Sequence, residues 1–291
     1  MDVDVDVDVD VDVDLDLDLD QYKVTRMPMS RAKTLAYSLE RSLRAAGRPE
    51  RAEQERRYLK SSLVHLGASV PATRSAAVAF ARAHPDMDRG ALLALVAALW
   101  ARGIHECRAA AVELLQLFGD RLAAGDLAGA VEPLLREART WALVDELSAR
   151  VAASLVERFP RLGRTLDRWA KDEDFWIRRA SLLAELVPLR EGRGDFERFG
   201  RHADALLGEK EFFIRKAIGW VLRDTSRRDP ARVARWLLPR AGRASPLTLR
   251  EATKVLPEAK RRDILAAAAK TRGRTRGEPQ VEATRRRAQR G

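Results

Sequence analysis

Two arrangements of apolar and polar residues divide the chain. Residues 1–20 alternate Asp with Val and then with Leu, a period of two that on paper matches a strand with every acid on one face. Ten carboxylates on one side repel one another and no partner strand is evident, so this segment is expected to be disordered. From Ser30 onward the pattern is helical. The text is rich in Ala, Leu, Arg and Glu, poor in runs of Val, Ile and Thr, and punctuated by Gly and Pro, for instance at Gly47, Pro85, Pro160, Gly192 and Pro230. The intervals suit helices of about two to five turns joined by short loops. No segment reads as a convincing strand. After Lys270 the chain turns to Thr, Arg and Gly and ends in Arg285, Arg286, Arg287 and Arg290. The expected organisation is an acidic tail over residues 1–29, a helical-repeat domain over residues 30–265 and a disordered basic tail over residues 266–291.

Internal repetition turns the helices into an architecture. The segment Phe175-Trp-Ile-Arg-Arg-Ala180 recurs as Phe212-Phe-Ile-Arg-Lys-Ala217 at an offset of 37, and a fainter copy, Leu247-Thr-Leu-Arg-Glu-Ala252, follows 35 further on. Trp141 precedes Trp176 by 35, and Cys107-Arg-Ala109 stands about two periods before Arg178-Arg-Ala180. An all-α solenoid of HEAT-like hairpins follows. Such a stack presents one helix of each hairpin along a concave surface. Basic residues at a shared repeat position, Arg108, Arg179, Lys216 and Arg250, are therefore expected to form a stripe in a basic groove.

Charge points to what such a groove faces. Lys and Arg number 54 against 43 Asp and Glu, a net charge of +11. Residues 2–20 hold ten Asp and no Lys or Arg, so without them the body carries +21. A polyanionic partner is expected, nucleic acid ahead of membrane lipid. The longest apolar run, residues 91–101, is too short to span a bilayer, and the acidic N-terminus is unlike a signal peptide. A soluble, cytoplasmic, nucleoid-associated monomer is expected. A single cysteine, Cys107, excludes an internal disulfide and a Cys-rich zinc site and fits a reducing compartment.

Several chemistries are absent. There is no phosphate-binding Gly-rich loop, no dinucleotide fingerprint and no His-Glu-x-x-His. His65, His84, His105 and His202 are scattered, so no Cys–His nucleophile, metal site or cofactor is expected. Tryptophan placement is more informative. Five of the six lie between Trp141 and Trp236, and three share a helix face with a polar group: Trp141 with Asp145, Trp176 with Arg179, and Lys216 with Trp220. Any one pair reads as a core ring beside a rim charge. Three in successive repeats read as a nucleic-acid surface, with cations for phosphate and rings for a base or sugar. Asp145 would weaken binding of a phosphate, so it is turned away, paired with an Arg such as Arg150 or Arg179, or present for chemistry. The chemistry that suits a lone carboxylate beside rings is cleavage of a glycosidic bond, where positive charge develops on the sugar.

At these residues the sequence resembles the AlkD-type DNA alkylation repair glycosylases, built from HEAT-like repeats. The matching text is Tyr58-Leu-Lys-Ser-Ser-Leu-Val-His-Leu-Gly67, Trp141-Ala-Leu-Val-Asp145, the repeat segment from Phe175 to Ala180, the stretch from Glu211 to Arg223, and Pro246-Leu-Thr-Leu-Arg-Glu-Ala252. The resemblance implies that Asp145, Trp141 and Trp220 are catalytic and that Arg179 grips the DNA backbone. Arg178, Arg215, Lys216, Arg250, Arg108 and Tyr58 are expected to contact DNA as well. It further implies excision of cationic N3- and N7-alkylated purines from duplex DNA, without a lyase step and without extruding the base. Thr140 stands where some members have a second Trp, and Ala142 where some have an acid.

The alternative is a non-catalytic HEAT-repeat scaffold that binds duplex DNA through the basic stripe alone. A protein-binding solenoid is a third option, against which the body's charge argues. The acidic segment is either an inert extension or a competitor for the basic groove.

Overall fold

The computed structural model describes residues 29–288. Residues 1–28 lie outside the described residues, and with them the expectations for the acidic segment. The molecule is all-helical and repeats along its length, as the sequence pattern predicts. Among the described residues there is no strand, only an isolated bridge between Val64 and Ile104.

Local signals explain where the helices begin. Ser69, Asp88, Asp174, Asp195, Glu211, Asp229 and Ser245 each stand before a helix and accept a hydrogen bond from a first-turn N–H, which satisfies a donor the helix itself cannot. Prolines open the helices Pro49–Leu59, Pro230–Leu237 and Pro246–Ala252, where a missing N–H is harmless. Gly192 ends Leu186–Glu191 in the left-handed conformation.

The helices starting at His105, Trp141, Phe175, Phe212 and Pro246 succeed one another at intervals of 34 to 37 residues. These are the helices that carry the repeated motif. Their apolar faces bury against two successive clusters, one centred on residues such as Leu99, Leu143 and Trp169, the other on Phe199, Ile218 and Leu249. Polar links follow the same period. Arg89–Asp126, Arg136–Asp172, Arg168–Glu132, Arg193–Glu157, His202–Asp167 and Arg240–Asp204 each join residues 35 to 37 apart. Most of these links thus tie a repeat to its neighbour, as in a solenoid, while at the start of the stack Arg102 reaches back 62 residues to the buried Glu40.

The end of the domain differs from expectation. The helix Glu258–Ala288 runs straight through the boundary placed at residue 265. Ile264 and Ala268 are buried against the second cluster, and Arg272 donates to the Ala244 carbonyl. An Ala-rich stretch from Ala266 to Ala269 has high helix propensity, and that outweighs the basic composition around it. Among the described residues no helix is long and apolar enough to cross a membrane.

Candidate active site

The helix Trp141–Glu146 begins after Thr140, whose backbone is extended, and passes directly into a π-helical turn, Leu147–Ala152. Such wide turns re-aim side chains and concentrate at functional sites. Trp141 is half-buried at the first helical position. Its ring meets Tyr58 edge-on, with centroids 5.8 Å apart and planes at 87°. Tyr58 is 71% exposed, so this aromatic pair stands at the surface.

One turn beyond Trp141, Asp145 is buried, with 8% of its surface exposed. Its partner is Arg179, itself only 3% exposed, which donates from Nε to Oδ1 and from Nη2 to Oδ2, both at 2.8 Å. Of the two partners weighed from the sequence, the geometry selects Arg179. Arg150 pairs instead with Glu146 on its own helix. The two parallel contacts are those of a planar guanidinium with an ionised carboxylate. Burial pushes the Asp145 carboxyl above the usual range, and the Arg179 hydrogen bonds and charge oppose that rise.

Arg179 also donates to the Phe213 carbonyl and lies over the Phe213 ring, 5.7 Å from its centroid. The pair therefore links three successive repeats through the starts of their helices. Phe213 belongs to an aromatic cluster with Trp176 (4.8 Å between centroids), Phe175 (6.2 Å) and Phe212 (5.3 Å). Phe212 is 56% exposed, so the cluster reaches the surface. On the helix Phe212–Ser226, Lys216 and Trp220 follow Phe213 at spacings of three and seven, on one face. Trp220 is half-buried against the second core cluster.

The expected cations fall into two groups. Arg178, Arg215 and Arg108 turn their donors onto carbonyls of their own chain: Arg178 on Asp172 and Glu173, Arg215 on Glu209, and Arg108 on Trp100 and Glu137. Arg178 also pairs with the Glu209 carboxylate at 2.7 Å. These residues shape the loops that precede the helices. Lys216 pairs with the buried Glu251 at 2.9 Å, and the carboxyl of Glu251, surrounded also by Arg223 and Lys254, is held down at about 2 against the penalty of burial. Arg250 is exposed and, among the described residues, has no ion-pair partner. Sequence reasoning had assigned no part to Phe213 or Glu251. The signal for Phe213 was its place beside the repeated Ile-Arg motif; Glu251 carried none beyond its place next to Arg250.

The fold and site together define a helical-repeat protein whose successive helix starts converge on one buried acidic centre among aromatic rings. The chain belongs to the DNA alkylation repair enzyme family, whose model it matches over residues 39–256. A solved structure titled "Predicted DNA alkylation repair enzyme from Enterococcus faecalis" is similar, with a TM-score of 0.66 and 23% sequence identity over 73% of this chain and 97% of that one. That likeness concerns the fold. No curated protein matches the sequence.

Proposed function

We propose that the protein is a monofunctional DNA glycosylase that hydrolyses the N-glycosidic bond of cationic N3- or N7-alkylated purines in duplex DNA. The observation that carries this reading is Asp145: a buried carboxylate, fixed in orientation by Arg179, one turn from the surface-facing Trp141–Tyr58 pair. A base that is already cationic leaves as a neutral molecule and needs no general acid. As the bond from C1′ to the base nitrogen breaks, positive charge develops on the sugar, and a fixed carboxylate stabilises it. The oxygens of Asp145 retain lone pairs beyond those facing Arg179 and can orient a water toward C1′. That water's oxygen bonds to C1′ and its proton passes to the carboxylate or to solvent, leaving an abasic site. Arg179 acts as a positioning residue here rather than as a phosphate clamp, because its donors are taken up within the protein. The route uses no cofactor.

Duplex DNA would lie across Tyr58, Trp141, the Phe212–Phe213 cluster and Trp220, with exposed cations such as Arg250 on phosphates. The protein acts as a monomer in the cytoplasm, on the nucleoid. The test is release of 3-methyladenine or 7-methylguanine from methylated duplex DNA. Asp145→Asn is expected to abolish release while DNA binding persists; equal excision by that variant overturns the assignment. Salt-dependent binding with no abasic product from the native chain supports the scaffold reading instead.

A further inference from the structure

The helix Pro49–Leu59 carries Tyr58 yet has no buried residue. Its apolar residues Ala52 and Leu59 are no more than half-buried. Its backbone approaches the loop over residues 61–67 closely: Arg48 donates to the Gly67 carbonyl, and a Cβ on Gly67, whose φ is +80°, would fall 2.0 Å from the Arg48 oxygen. That loop is in turn fixed on Glu106, which is 1% exposed and accepts from the N–H groups of Leu66 (2.9 and 3.0 Å) and Gly67 (2.6 Å). At this junction one loop residue is left over. Both ring nitrogens of His65 are buried, and among the described residues neither has a hydrogen-bond partner. The ring is stacked on His105, centroids 4.6 Å apart and planes at 11°, so its edge is fixed.

What the edge meets is a pair of carboxylates. Ligand atoms of Glu55, His65 and Glu106 all lie within 4.8 Å of one another. We propose that Glu55, His65 and Glu106 form a site for a divalent transition-metal cation of zinc type, which staples the Tyr58-bearing helix to the body of the solenoid. The donor set, one imidazole nitrogen and two carboxylate oxygens, suits zinc with a water as fourth ligand. Bonds of ~2.1 Å place tetrahedral ligands ~3.4 Å apart, so the widest of these separations must close by up to ~1.4 Å. Glu55 can supply that movement. Its side chain is partly exposed and, among the described residues, pairs with Arg51, one turn away on the same helix, at 2.6 Å. Glu106 keeps a free lone pair after its two backbone donors. A cleft of about 660 Å³ lined by Ala52, Arg56 and Ser61 opens onto His65.

The site departs from the expectation of no metal, and it is independent of the excision chemistry. The untagged full chain, freed of metal by dialysis against a chelator, is titrated with zinc chloride by calorimetry, and hydrogen exchange over residues 49–59 is followed. One zinc per chain is expected, with increased protection of that helix. Both His65→Ala and Glu55→Gln should weaken binding by about tenfold or more. His84→Ala, whose ring lies elsewhere against Phe80, should leave it unchanged. Glu55→Gln alters a partly exposed side chain and decides the matter if His65→Ala does not fold. Absence of stoichiometric binding overturns the proposal, as does zinc binding that survives Glu55→Gln undiminished.

Discussion

The buried pair of Asp145 and Arg179 makes a prediction that is independent of catalysis. Each group is almost wholly removed from water, so taking away one leaves the other as an uncompensated buried charge. Asp145→Ala is expected to destabilise the chain by about 3–5 kcal/mol. Arg179→Met should cost a similar amount, plus about 1 kcal/mol for the Phe213 carbonyl that loses its donor. The double variant buries no charge at all. It should be more stable than the sum of the two losses implies, with a coupling energy of about 2–3 kcal/mol. The assay is urea unfolding of the four proteins followed by circular dichroism, with equal slopes as the condition for comparing them. Coupling below about 0.5 kcal/mol would refute the argument, because two residues that act additively are not in contact in the folded molecule. The same variants bear on the chemistry. The proposed excision uses the ionised carboxylate, and Arg179 opposes the rise that burial imposes on Asp145, so under that proposal Arg179→Met should move the acid limb of the activity profile to higher pH.

Gly219 sits where the helices Phe212–Ser226 and Pro246–Ala252 touch, and an added Cβ would lie 2.6 Å from Cβ of Glu251 and 3.0 Å from the Thr248 carbonyl. Gly219→Ala should therefore lower stability by about 1–3 kcal/mol despite alanine's better helix propensity; a raised melting temperature would contradict this. Cys107 is fully buried and burial pushes its thiol up to about 12, so a thiol reagent should label it only under denaturing conditions, and rapid labelling of the native chain would count against the packing described. Glu132 and Glu251 are both held at about 2 against an ordinary 4.5, the first opposed by burial but stabilised by Arg168, Trp169 and Arg136, the second likewise by Lys254 and Lys216. A lowered folded-state value means stability that is fully present above about pH 4.5 and lost as pH falls toward about 2, and Glu251→Gln should flatten that loss in acid-unfolding curves.

The repeat architecture was legible because the same residues mark the start of each helix. The Phe-x-Ile-Arg text is repeated at the spacing at which the helices themselves succeed one another. Asp145 was legible as the odd carboxylate of an otherwise cationic and aromatic set. What the chain does with Arg178 and Arg179 was not. Neighbours on a helix point about 100° apart, so one reaches back to the Asp172 and Glu173 carbonyls and the other across to the repeats on either side, and only packing decides which. The last helix was hidden by its composition, since Arg and Lys serve equally well in a helix and in a solvated tail. Glu55, His65 and Glu106 come from a helix, a loop and a helix well apart in sequence, and no local spacing rule brings them together.

The period of the polar links has a consequence for how the chain comes apart and goes together. When most ties span about one repeat, the loops closed by those contacts are short and nearly equal in length along the molecule. No late, long-range closure is required, so folding can begin at any hairpin and spread to both sides. The reverse holds for unfolding. An end can fray one hairpin at a time while the interior stays closed, and within the first repeat the helix Pro49–Leu59, which buries no residue, should open before the helix Met29–Ala45, whose Leu39 and Leu43 lie in the core.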